Sequence, residues 1–169
     1  RLYLTLFKGR DDVYAKRWEN KKKGTSGYSP VCLNEWSIGI CAKPKIPCSG
    51  CTHKSYAALD AAVIENHLRG NIVAGVYPML PDETCHFLAI DFDESGWQKD
   101  INTLRVICAE YAIQCAVERS RSGNGGHAWF FFASPISAAL ARKFGAAMLT
   151  HSMDKRHEIQ FKSYDRFFP

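Results

Sequence analysis

Two aspartates, Asp91 and Asp93, close a run of apolar residues and are spaced to bind a divalent cation together. Side chains of a β-strand alternate between its faces, so both carboxylates would project from one face and Phe92 from the other. Mg²⁺ and Mn²⁺ prefer such oxygen ligands, usually one or two carboxylates together with substrate phosphates. A strand that ends in a solvated acidic turn is the alternative interpretation. The metal site is favoured because two neighbouring carboxylates repel each other without a cation.

A glycine-rich segment, residues 118–127, holds a second set of candidate ligands. Its glycines expose backbone N–H groups, and four side chains add hydrogen-bond donors. These four are Arg119, Arg121, Ser122 and His127. The segment is a candidate cradle for a triphosphate, although it lacks the Gly-Lys-Ser/Thr ending of a P-loop. A plain glycine-rich hairpin turn is the alternative interpretation.

Four of the seven cysteines lie close together with the spacing of a structural zinc site. They are Cys32, Cys41, Cys48 and Cys51. The loop is rich in proline, so a metal would supply stability that packing cannot. Two disulfides and free thiols are the alternatives, and the lack of a signal sequence argues against disulfides. The other three, Cys85, Cys108 and Cys115, lie in apolar segments, where we expect ordinary buried thiols.

The apolar pattern predicts the elements that would position these groups. In the first half we expect a strand at 2–7, a polar loop at 9–30 and a helix at 55–69. Residues 72–80 and 85–93 are predicted to be neighbouring strands joined by a short turn.

From residue 85 onward the pattern predicts strands and helices in the order βαββαβ. The expected elements are strand 85–93, helix 97–111, strand 113–117, strand 127–132, a helix from Ser134-Pro135 to Leu149, and strand 157–168. This is the split βαββαβ unit of ferredoxin-like and RNA-recognition folds. Its strand order, 4-1-3-2, would place His127 beside Asp91 and Asp93.

The chain is therefore expected to have an α+β fold with an RRM-like palm at residues 81–169. An N-terminal α/β extension at 1–80 would carry the four-cysteine zinc loop at 32–51. A length of 169 residues is typical of one compact domain, so both parts would form a single unit.

Composition excludes several classes of protein. With 46% hydrophobic and 23% charged residues, the chain is neither disordered nor of low complexity. No apolar run approaches the ~18 residues of a membrane helix, so we expect a soluble, cytoplasmic protein without a membrane partner.

The charges that sum to a net +5 are distributed unevenly along the chain. Residues 82–94 hold five acids and no Lys or Arg, whereas the remainder holds 22 bases and 12 acids. That distribution favours an acidic metal centre within a surface that binds phosphates.

Three motifs in this order resemble those of archaeo-eukaryotic primases. They are Asp91-Phe-Asp93, Ser-Gly-x-Gly-Gly-His127 and Tyr164-Asp165-Arg-Phe-Phe-Pro. The cysteine loop with Trp36, followed by Gly75-Val-Tyr-Pro-Met-Leu80 and Phe87-Leu-Ala-Ile-Asp-Phe-Asp93, is similar to the primase-polymerase domain of TOTE conflict systems and their CRISPR-associated relatives. The resemblance extends over about residues 28–169.

The resemblance implies a DNA-directed primase-polymerase that joins an NTP or dNTP to a primer with two Mg²⁺ or Mn²⁺ ions. Asp91 and Asp93 would hold these ions, and His127 would contact the triphosphate with help from Ser122 and from Arg119 or Arg121. A single-stranded or primed DNA or RNA template would be the partner, and further domains are expected in the full-length protein. The family's short form of the second motif is Ser-x-His, whereas position 125 is glycine here.

The third acid has two candidates. The family motif implies Asp165, which we take as the third metal ligand. Simple sheet geometry instead favours Glu158, if the last strand begins at residue 157. Glu94 is interpreted as a solvated neighbour.

Two other functions compete with polymerisation. One is a non-catalytic, zinc-containing nucleic-acid-binding module of the RRM type, which would stack bases on aromatic residues such as Trp36 or Trp129. The other is a glycosyltransferase that binds a nucleotide sugar through Asp-x-Asp and Mn²⁺. The small size and the lack of a doubly wound sheet argue against the glycosyltransferase.

Overall fold

The computed structural model describes residues 2–93, 95–155 and 162–169. It divides into two compact units, one up to Tyr77 and one from Pro78 onward. Each unit has an antiparallel sheet, and the described residues form four α-helices. The predicted α+β class is confirmed.

The first unit is built on a three-stranded sheet in the order β2-β1-β3. Its elements are α1 (Leu2–Leu6), β1 (Tyr14–Asn20), β2 (Thr25–Pro30), α2 (Ala61–Leu68) and β3 (Ala74–Val76). Asp60 caps α2, since its side chain accepts a hydrogen bond of 2.9 Å from the backbone N–H of Val63. The cysteine loop lies between β2 and α2.

Three predictions for the first unit are wrong. Residues 2–6 form a helix rather than a strand, and the helical turn places the rings of Tyr3 and Phe7, four residues apart, at 4.8 Å. Residues 9–30 contain the β1–β2 hairpin rather than a loop. Strand β1 is mostly exposed beyond its first two residues, so its sequence lacks the apolar alternation that would have predicted a strand. Strand β3 pairs with β1, and not with the strand that follows it.

The second unit has a four-stranded sheet in the order β5-β6-β4-β7, antiparallel throughout. Its elements follow the chain as β4 (Thr84–Asp93), α3 (Trp97–Glu110), β5 (Ala116–Arg119), β6 (Gly125–Ser137), α4 (Ala138–Lys155) and β7 (Tyr164–Phe168). No described helix is both long and apolar enough to cross a membrane.

Both helices of this unit pack on one face of the sheet. The core there includes Leu88, Ile90 and Phe92 of β4, all completely buried, together with Ala128 and Phe130 of β6. Because these residues alternate along their strands, the residues between them belong to the opposite face. That opposite face carries the charged side chains of the candidate site.

The predicted helix start at Ser134-Pro135 is wrong. Strand β6 continues to Ser137, since Ile136 and Ser137 pair with Cys85 and Thr84 of β4. Helix α4 begins at Ala138, and the Ser137 hydroxyl accepts a hydrogen bond of 3.2 Å from the N–H of Leu140. Pairing with β4 thus overrides the local start signal, and a register shift in this part of the ladder accommodates the proline.

Candidate metal and nucleotide site

A row of four charged or ionisable residues crosses the sheet of the second unit. Glu118 on β5 pairs with His127 on β6, His127 pairs with Asp91 on β4, and Asp91 pairs with Arg166 on β7. Residues that pair directly across antiparallel strands project to the same face. The row therefore alternates carboxylate, imidazole, carboxylate and guanidinium.

Asp91, Asp93 and Asp165 form a compact group of acids at this row. One carboxylate oxygen from each lies within 4.8 Å of the others. Among the described residues, no other group of three acidic, cysteine or histidine side chains is this close. Burial, and then the charges of Asp91 and Asp165, raise the pKa of Asp93. A bound cation would relieve this repulsion, and three carboxylate donors fit Mg²⁺ or Mn²⁺.

A β-bulge brings Asp165 to the other two acids. Asp91 pairs with Arg166, but the next residue of β4, Phe92, pairs with Tyr164, so Asp165 is the additional residue. Tyr164 packs edge-on against Phe92, with ring centroids 6.4 Å apart. Because Tyr164 stays on the core side, the bulge allows Asp165 to join the acids on the opposite face, where its Oδ2 lies 2.5 Å from Nε of Arg166.

Gly125 lets β6 approach Asp93 closely. A Cβ atom on residue 125 would lie 2.5 Å from the carbonyl oxygen of Phe92 and 2.6 Å from Oδ1 of Asp93. The same point lies 3.3 Å from Oγ of Ser120. A serine at position 125 would therefore collide with β4, and the Ser120 hydroxyl lies beside this point.

The turn before β6 uses two of the predicted triphosphate ligands internally. Arg119 donates two hydrogen bonds of 3.1 Å to the carbonyl of Gly123, whose φ is +81°. The Ser122 hydroxyl accepts a hydrogen bond from the N–H of Asn124 and shares another, of 3.1 Å, with Ser120. Arg121 is exposed on the same turn. Among the predicted triphosphate ligands, His127 directly contacts the acidic group, with its Nε2 3.4 Å from Oδ1 of Asp91.

His127 lies between two carboxylates. Its Nε2 is 3.4 Å from Oδ1 of Asp91, and its Nδ1 is 3.7 Å from Oε2 of Glu118. Nδ1 is buried and has no hydrogen-bond partner among the described residues. Asp91 first, and then Glu118, raise the pKa of His127 to about 9.

In protein freed of Mg²⁺ and Mn²⁺, the His127 ring is expected to titrate near pH 9 instead of 6.5. A pKa raised on folding means that the charged ring stabilises the fold fully below pH 6.5, and that this contribution disappears as the pH rises through about 9. NMR titration of the ring nitrogens measures this value. Asp91→Asn should move it down, and an ordinary pKa in the wild-type protein would contradict the assignment.

The four clustered cysteines line one cavity of about 310 Å³ in the first unit. All four are partly buried free thiols. No three of their sulfur atoms lie within 4.8 Å of one another. The sulfur atoms of a closed tetrahedral zinc site lie closer together than this. The donor set therefore suits zinc in its chemistry, whereas the distances do not form a finished site.

Three residues near the acids were not assigned from the sequence: Glu118, Ser120 and Arg166. Assigning Glu118 to the site requires the exact register of the β5–β6 hairpin. That register depends on the length of the turn between the two strands. Arg166 joins the row through the register of β7 against β4, in which it pairs directly with Asp91. Glu158, the alternative third acid, and Glu94 lie outside the described residues.

A comparison with curated proteins found no match. Compared with known protein families, the whole chain, residues 1–169, matches the family described as "TOTE conflict system, Archaeo-Eukaryotic Primase domain". This match agrees with the acidic group and the neighbouring histidine in the second unit. The chain belongs to the archaeo-eukaryotic primase domain family of the TOTE conflict systems.

Proposed function

We propose that this protein is a template-dependent nucleotidyltransferase, a primase-polymerase that makes or extends DNA or RNA primers with two divalent ions. The observation that carries the proposal is the convergence of three aspartates on one point beside a histidine. Family membership supports the same reaction class. The substrates would be an NTP or a dNTP and a primed or single-stranded template.

The three aspartates and the histidine each have a role in this proposal. Asp91, Asp93 and Asp165 would hold Mg²⁺ or Mn²⁺. Such ions activate a primer 3′-hydroxyl and neutralise the charge of a triphosphate. His127 would donate a hydrogen bond from Nε2 to a phosphate oxygen of the incoming nucleotide. A protonated ring is suited to this role because it also contributes positive charge.

The turn at residues 120–125 would form the wall of the nucleotide site. The hydroxyls of Ser120 and Ser122 lie 3.1 Å apart, and Oγ of Ser120 lies 3.3 Å from the point that a Cβ on residue 125 would occupy, next to Asp93. The exposed Arg121 would contact phosphates, whereas Arg119 would act indirectly by holding the turn. We therefore propose Ser120, in addition to Ser122, as the hydroxyl that faces the substrate.

Primer extension tests the proposal. The purified protein is incubated with a primed template, or the same template without primer, with NTPs or dNTPs and with Mg²⁺ or Mn²⁺. Template-directed products that require the divalent ion are expected. Binding of nucleic acid without any synthesis, unaffected by changes at Asp91 and Asp93, would instead support a non-catalytic binding module.

We also propose that Cys32, Cys41, Cys48 and Cys51 bind a structural zinc ion. Their common cavity and their thiol chemistry support this site. Binding would require the sulfur atoms to draw closer together, because zinc ligands surround the ion at about 2.3 Å. The loop would then gain the stability that its few packed side chains do not supply.

Purified protein is expected to contain one zinc ion per chain, measured by elemental analysis. Cys51→Ser should lose the metal, because a hydroxyl is a much poorer zinc ligand than a thiolate. Cys115→Ala, which changes a thiol of the second unit, should retain it. A wild-type preparation without zinc, or loss of zinc in the Cys115 variant, would contradict the proposal.

A further inference from the structure

Glu118 and Arg166 are the members of the charged row without a role in the proposed reaction, and of these two it is Glu118 that faces His127. It lies on the strand next to His127 and directly opposite it in the ladder. Its Oε2 is 3.7 Å from Nδ1 of the imidazole, whereas Asp91 approaches the other ring nitrogen at 3.4 Å. Both separations exceed an ordinary hydrogen bond, so the ring lies between two carboxylates that attract it in opposite directions.

Glu118 is itself held by an aromatic side chain. The indole N–H of Trp129 donates a hydrogen bond of 3.1 Å to Oε2 of Glu118. Trp129 lies two residues after His127 on β6, so the two share one face of the sheet. Its ring packs edge-on against the imidazole, with centroids 5.7 Å apart, and lies parallel to Phe131 within 3°.

When the site holds a cation, Asp91 and Glu118 would not act equally on the His127 ring. An oxygen of Asp91 that binds a cation is no longer available to His127. The contact with Glu118 would remain, because Glu118 is not one of the three clustered acids. A histidine that keeps one nitrogen on a carboxylate presents the other nitrogen in a fixed direction.

We propose that Glu118, oriented by Trp129, is a positioning residue that holds His127 through Nδ1 and directs Nε2 toward a phosphate of the incoming nucleotide. This inference rests on the proposed function, since it assumes that His127 contacts the triphosphate. Glu118 would touch neither substrate nor cation. Its loss should therefore weaken nucleotide binding and leave cation binding intact.

Three variants test the proposal. Glu118→Gln removes the negative charge with little change in shape, and Trp129→Phe removes the indole N–H but keeps an aromatic ring. Glu83→Gln is the matched control, since Glu83 is an exposed glutamate in the turn before β4. If Glu118→Gln fails to fold, Glu118→Asp, which retains the charge at a shorter reach, replaces it.

The first readout is binding of a non-hydrolysable nucleoside triphosphate with Mg²⁺ present. Glu118→Gln should raise its Kd, and the KM in primer extension, about tenfold with a smaller effect on kcat, which is the usual size of such indirect effects. Trp129→Phe should shift both in the same direction but less. The double variant should bind no more weakly than Glu118→Gln alone, because Trp129 acts through Glu118.

The second readout is the ¹⁵N NMR signal of the His127 ring with Mg²⁺ present, and the third is Mn²⁺ affinity. The Nδ1 signal should change in Glu118→Gln and not in Glu83→Gln, and Mn²⁺ affinity should stay constant. An unchanged Nδ1 signal, an unchanged nucleotide Kd, or loss of Mn²⁺ binding would overturn the positioning role. Wild-type protein that binds no triphosphate would instead overturn the proposed function.

Discussion

Replacing Asp91 by asparagine is expected to lower the rate of primer extension about 1000-fold, corresponding to about 4 kcal/mol of lost transition-state stabilisation. Asp91 has the central position among the charged groups: it belongs to the group of three acids, and it pairs with both His127 and Arg166. An amide keeps the size of the side chain but loses the charge that attracts a divalent cation. Mn²⁺ affinity should therefore fall together with the rate.

The matched control is Asp154→Asn, which changes an exposed aspartate near the end of α4. It should extend primers at the wild-type rate and melt at the wild-type temperature. Full activity in Asp91→Asn would contradict both the metal site and the polymerase assignment. Loss of activity with unchanged Mn²⁺ affinity would contradict the role of Asp91 as a metal ligand.

The second large effect is expected at Gly125. A methyl group there would lie within 2.6 Å of both the carbonyl oxygen of Phe92 and Oδ1 of Asp93. Gly125→Ala should therefore push the strands apart, destabilise the fold by about 2 kcal/mol and lower Tm by roughly 4–8 °C. Because Asp93 must move, Mn²⁺ affinity and primer extension should decrease as well.

Gly126→Ala separates the two parts of this prediction. A Cβ at Gly126 would meet Trp97 at 2.6 Å and Ile101 at 2.9 Å, on the core side of the sheet. This variant should lose stability to a similar extent, measured by thermal melting, but keep Mn²⁺ affinity as long as it is folded. Equal loss of Mn²⁺ affinity in both variants would show that general destabilisation, and not the position of Asp93, is responsible.

The acidic pair and its neighbouring histidine were accessible from the sequence. Period-two alternation placed Asp91 and Asp93 on one face, and the expected antiparallel order placed His127 beside them. The structure pairs His127 with Asp91 directly. Buried strands with strong alternation determine their own register, because a shift by one residue would expose the apolar face.

The first unit was poorly predicted for the opposite reason. Strand β1 is exposed over most of its length, so its residues carry little periodic signal. Its formation depends on backbone pairing with β2 and β3, which a pattern of side-chain types does not reveal. The arrangement of the four cysteines around a cavity is likewise a property of the folded loop, although their spacing alone predicted a common site.

By itself, the sequence predicted the α+β class, showed the motifs that resemble the family, and supplied the candidate residues Asp91, Asp93, Asp165 and His127. The class follows from residue types and periodicity, and the resemblance follows from short motifs in order, so both can be found along the chain. Tertiary structure alone decided that a bulge in β7 brings Asp165 to the other acids, and that Gly125 allows the strands to meet at Asp93. It also decided that Glu118 and Trp129 flank His127. Such contacts depend on a bulge and on the exact length of a turn, and the alternation that fixes the register of a buried strand specifies neither.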